Sequence, residues 1–103
     1  MLANGRQTAL DHEGNHRPVV KLFMPDGAAT WLLSEFDPED TDIAFGLCDL
    51  GLGFPELGSV RLSEINKVRG PFGLPVERDL HFEADKDLLG YAKEARAASR
   101  IVA

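Results

Sequence analysis

ATWLLSEFDPEDTDIAFGLCD, residues 29–49, decides the fold. ATWLLSEF reads as a β-strand rich in apolar and aromatic residues. IAFGLCDL reads as a second, with Ile43, Phe45 and Leu47 on one face and Ala44, Gly46 and Cys48 on the other, because side chains alternate along a strand. DPEDTD between them reads as a loop: Pro38 lacks the N–H a ladder needs, and four carboxylates discourage pairing. The two runs are expected to form an antiparallel pair. Centring the loop sets Trp31 opposite Leu47 and Leu33 opposite Phe45. The small face of the second run invites close packing, as against a helix.

Working outward, VVKLF closed by PDG reads as a strand and turn upstream. Downstream, GLGFPELG reads as a glycine-rich connection and SVRL as a short strand. Ser63 is placed to cap a brief helix, EINKVR. GPFGLP breaks the chain, and VERDLHFE then alternates, with Val76, Arg78, Leu80 and Phe82 on one face. Asp85 is placed to cap a last helix whose apolar stripe is Leu88, Tyr91, Ala92, Ala95 and Ala98. The expected fold is α+β: a small, mainly antiparallel sheet of four to five strands, with a short helix and a C-terminal helix packed on it. Residues 1–17 are polar without apolar periodicity and read as a flexible arm; residues 18–103 form one domain.

The net charge is −6, and its distribution is uneven. Residues 22–60 carry eight acids and no Lys or Arg, whereas residues 1–21 and 61–103 each sum to +1. Such a surface repels phosphates, so direct nucleic-acid binding is not expected; basic proteins are the natural partners. No apolar run reaches the roughly 18 residues of a membrane span. The N-terminus lacks the apolar middle of a signal peptide, and one cysteine, Cys48, makes no internal disulfide. A cytoplasmic protein is the expectation.

HEGNH, residues 12–16, fits the H-E-x-x-H pattern that puts two imidazoles one helical turn apart for zinc. Gly14 and Pro18 disfavour that helix and no third ligand is evident, so no metal and no cofactor are expected. Cys48 and His81 make too thin a set for a nucleophile and its base. GLGFPELG lacks the glycine spacing and following helix of a phosphate loop.

Three charges fall on otherwise apolar strand faces: Glu35 beside Trp31 and Leu33, Asp49 after Leu47, and Arg78 between Val76 and Leu80. Buried charges need partners, so Arg78 is expected to bridge Glu35 or Asp49. Either this pair fixes strand order, or, with Trp31 and His81, it marks a pocket of a small-ligand-binding domain or enzyme.

KLFMPDGAATWLLSEFDPEDTDIAFGLCDLGLGFPELGSVRLSEI and RGPFGLPVERDLHFEADKDLLGYAKEAR closely resemble a bacterial family catalogued as domain of unknown function 2958. The resemblance runs from Val20 to Arg96 and leaves the arm outside. It implies no activity, cofactor or catalytic residue. It implies a setting: plasmids, conjugative elements and phages, near antirestriction genes. With the acidic stretch, this leads to a small non-enzymatic binding protein of a mobile element, acting against host defence of the antirestriction or anti-CRISPR type. Its partner would be a basic host protein, such as a nucleic-acid-binding defence protein. The residues expected to meet it are Glu35, Asp37, Glu39, Asp40, Asp42, Asp49 and Glu56.

Overall fold

The computed structural model describes Met1, Asn4, Gly5 and residues 16–103. Among the described residues, five strands form one antiparallel sheet in the order β4-β3-β2-β1-β5. They are β1 (Val20–Phe23), β2 (Thr30–Asp37), β3 (Asp40–Asp49), β4 (Glu56–Arg61) and β5 (Glu77–Arg78). A short helix α1 (Leu62–Ile65) follows β4, and α2 (Leu88–Ala98) closes the chain. This is the expected α+β architecture. No helix among the described residues is long and apolar enough to cross a membrane.

β2 and β3 pair antiparallel as expected, but in a different register. Trp31 lies opposite Cys48, Leu32 opposite Leu47 and Leu33 opposite Gly46. Volume explains the choice: each large side chain on one face of β2 meets a small residue of β3, as close packing requires. A Cβ at Gly46 would run into the carbonyl of Leu32 and the backbone of Leu33. A bulge between Leu33 and Glu35 then shifts the register again, so that Glu35 faces Phe45 and Phe36 faces Ala44. One unpaired residue reverses the alternation beyond it. Glu35 therefore leaves the face of Trp31 and Leu33. Residues at the chain start cover the bulge: Asn4 Nδ2 donates to the Ser34 carbonyl at 2.8 Å, and Phe36 N donates to the Met1 carbonyl at 3.2 Å.

Both faces of the sheet are covered. On one, Leu32 and Leu47 pack with Leu88, Tyr91, Ala92 and Ala95 of α2 and with Ile101. On the other, Trp31, Leu33 and Ala44 pack with Ile65 of α1, Leu62 and Val76. The small face of β3 thus meets the short helix. Trp31 is buried, as its size and position predict. Asp87, rather than Asp85, caps α2: its Oδ1 accepts from Gly90 N at 2.8 Å. Asp85 instead accepts from the Tyr91 hydroxyl at 3.0 Å, which ties the cap region to the buried stripe. Ala98 lies outside that stripe and is exposed.

Two further expectations are corrected. DPEDTD is not a loop throughout: Pro38 and Glu39 alone form the turn, and Asp40–Asp42 already belong to β3. VERDLHFE is not a strand throughout: β5 holds two residues, after which Asp79 Oδ1 accepts from His81 N and turns the chain. Val76 therefore packs on the α1 face and Phe82 on the α2 face, while Leu80 is 82% exposed.

Candidate functional site

The antiparallel order places the connections at two ends. The β2–β3 turn forms one end. At the other lie the β1–β2 connection (24–29), the β3–β4 connection (50–55) and the segment 69–76 that enters β5.

The first end is acidic. Asp37, Glu39, Asp40 and Asp42 surround the turn. The turn is self-supporting: Asp37 Oδ1 accepts from Glu39 N at 2.9 Å, and Asp40 Oδ1 from Asp42 N at 3.1 Å. Short Asp side chains favour such turns because the carboxylate reaches a backbone N–H two residues on. Arg61, at the end of β4, approaches Asp40 at 3.3 Å and Asp42 at 3.6 Å. Asp42 also accepts from the Ser63 backbone N–H at 2.9 Å and hydroxyl at 2.7 Å. These donors hold the Asp42 carboxyl below its ordinary range, the Ser63 hydroxyl contributing most. Ser63 is thus not the N-cap of α1. Arg61 holds that position without a side-chain cap bond, and Asp42 of β3 satisfies the Ser63 N–H from outside the helix. Among the described residues, four carboxylates against one guanidinium leave the tip strongly negative. Asp37 and Glu39 are exposed.

The other expected acids lie elsewhere. Glu35 is 6% exposed, and the bulge puts it on the α2 face opposite Phe45. Asp49 is 3% exposed, and it holds the C-terminal segment: Oδ2 accepts from Ile101 N at 2.9 Å and Oδ1 from Gly51 N at 2.8 Å. Charge-assisted bonds to backbone N–H groups explain how a carboxylate sits there. Glu56 is exposed at the start of β4. The acidic surface is therefore a hairpin tip with Glu56 apart from it, not a continuous ridge over residues 35–56.

Arg78 forms no ion pair with Glu35 or Asp49. It is exposed on β5, at the far edge of the sheet from β3, where two-residue pairing with β1 leaves it in solvent. Arg78 and His81 border one shallow hollow with Lys21 and Asp79, while Trp31 borders another with Ile43, Leu50 and Val68. The structure does not bring Trp31, Glu35, Asp49, Arg78 and His81 together. Cys48 is half-buried against the Trp31 cluster, and burial pushes its thiol up to about 11. Such a thiol is a poor nucleophile at neutral pH. Within HEGNH, residues 12–15 lie outside the described residues.

The second end is apolar, and it escaped the reading of the sequence. Leu50, Leu52 and Phe54 project from the β3–β4 connection, and Phe72 and Leu74 from the segment before β5; their exposures run from 46% to 86%. The β1–β2 connection ties these loops together. Ala28 lies against Gly51, and Asp26 Oδ2 accepts from Phe72 N at 2.8 Å and Leu74 N at 3.3 Å. Gly51 at φ 81° and Gly73 at φ 81° make the turns that carry these side chains outward. GLGFPELG and GPFGLP did hold a signal: large apolar residues inside turn composition, with no alternation to bury them.

No curated protein and no solved structure matches the chain. A family model described as "Protein of unknown function (DUF2958)" matches residues 1–102. The match takes in the N-terminal segment that the resemblance had left outside, so HEGNH lies within the family's span. The chain belongs to the family of domain of unknown function 2958.

Proposed function

We propose that this chain is a small non-enzymatic binding protein that presents its acidic β2–β3 hairpin to a basic surface of another protein. One observation carries the reading: Asp37, Glu39, Asp40 and Asp42 gather at a two-residue turn, with Arg61 the one cation beside them among the described residues. A projecting negative tip raises encounter rates with a basic partner and gives it a register. Glu35 and Asp49 take no part, since Glu35 is buried and Asp49 is buried and holds the Ile101 N–H. We extend the proposal to a cytoplasmic role in conflict between a mobile element and its host, the setting that the resemblance implies, with a nucleic-acid-binding defence protein as the partner.

Affinity capture from a bacterial host lysate tests this. Wild type is compared with Asp37→Asn/Glu39→Gln, a pair that removes charge while leaving Asp42 and its bonds to Ser63 in place. A basic protein retained by wild type, released by moderate salt and lost from the variant is the expected result. Equal retention by both removes the hairpin from the function.

A further inference from the structure

We propose that the apolar end of the sheet is a two-fold interface through which two copies of this chain associate end to end. Leu50, Leu52, Phe54, Phe72 and Leu74 are held on tied loops at one end of the molecule. Phe54 is 78% exposed and Phe72 86%. Phenylalanines in water are costly, and exposed apolar residues gathered at one end of a molecule mark a contact surface.

Area points to a second copy. Taking roughly 175 Å² for a fully exposed large apolar residue, these five at their exposures offer about 600 Å² per copy. Interface cores are about two-thirds apolar, so the contact with its polar rim would reach roughly 800–900 Å² per copy. That is the size of a stable two-fold interface. Charge agrees. The acidic hairpin lies at the opposite end of β2 and β3, so joining the apolar ends holds the two negative tips as far apart as the fold permits. The principal extents are 42 × 30 × 24 Å, and the Debye length at physiological salt is about 8 Å, so repulsion between the tips is screened. The contact is isologous: the same loops meet across the axis, and both tips stay free for partners.

Sedimentation of the full chain across a roughly hundred-fold range of concentration tests this, because a dimer responds to mass action. Wild type should sediment as a dimer at the upper end. Phe54→Ser and Phe72→Ser should each raise the dissociation constant about tenfold or more, as interface aromatics do, and together leave a monomer throughout. The far-ultraviolet circular dichroism of the variants should match wild type, since both side chains are exposed. Asp37→Asn/Glu39→Gln should remain dimeric. Wild type that stays monomeric at every concentration overturns the proposal, including one that instead pellets with phosphatidylcholine vesicles. A dimer that survives in the double variant also overturns it, by moving the contact elsewhere, for example to the free edge of β4.

Discussion

At one end of β2 and β3, four carboxylates stand around a two-residue turn; at the other end of the same strands, loops hold five apolar side chains in water. Both ends are surface, yet they are built differently. The acidic tip is held by its own backbone and by Arg61 and Ser63 from the next strand and helix. The apolar end is anchored in the interior: Asp49 draws Gly51 and Ile101 together, and Trp31 packs between the sheet and α1. Charge at an exposed turn is easily solvated and contributes little to folding, so such a site is free to serve a partner. Loops tied to buried groups hold a surface rigid, which reduces the ordering cost of association.

Mutations should separate the two ends. Trp31→Ala should have the largest effect, a loss of about 3–5 kcal/mol in urea unfolding, the cost of deleting a core aromatic. A loss below about 1 kcal/mol would detach the apolar end from the core. Asp49→Ala should cost about 2–3 kcal/mol, because the buried Ile101 N–H loses its acceptor. If Asp49→Ala is no worse than Asp37→Asn, the contrast between anchored and free acids fails.

Cys48 sharpens the same contrast through rate. With its thiol raised from 9.0 to about 11, native alkylation at neutral pH should run about a hundredfold slower than in urea. The sign for stability follows: the raised thiol contributes fully below pH 9, and that contribution fades as pH rises toward 11. Matching native and unfolded alkylation rates would show that the Trp31 cluster leaves the sulfur open.

At the acidic tip, the effect is smaller and lies at low pH. The Asp42 carboxyl is held below its unfolded value of 3.8, so its bonds to Ser63 contribute above that pH and are lost as pH falls through the folded value. Ser63→Ala should move the Asp42 titration upward in a carboxyl NMR experiment and soften stability only on the acid side. An unchanged titration would mean that the Ser63 hydroxyl does not hold Asp42. Asp37→Asn/Glu39→Gln should change stability by less than about 0.5 kcal/mol, and a larger loss would make the tip a structural element.

Much of this molecule is legible in its residues. An apolar, aromatic-rich run marks β2, alternation of large and small residues marks β3, glycine and proline mark the breaks, and the spacing from Leu88 to Ala95 marks the buried side of α2. Trp31 could be placed in the core because a single large aromatic in an apolar strand has few other places to go. The acids at the β2–β3 connection could be placed outside because Pro38 and four carboxylates cannot form a covered ladder.

Tertiary structure decided the rest. The bulge after Leu33 answers to the fit of Trp31 and Leu33 against Cys48 and Gly46, and no local pattern encodes that fit. It turned Glu35 to the other face and broke the inference that Glu35 shares a wall with Trp31. Arg78 looked inward by alternation, but β1 pairs only two residues of β5, and a guanidinium at a sheet edge is cheaper to solvate than to bury. Asp49 looked like part of an acidic surface until Ile101, 52 residues on, placed a backbone N–H against it. Alternation and turn chemistry act between near neighbours and can be read from the chain; register, burial of a charge and the meeting of loops depend on volumes and donors supplied from far along it.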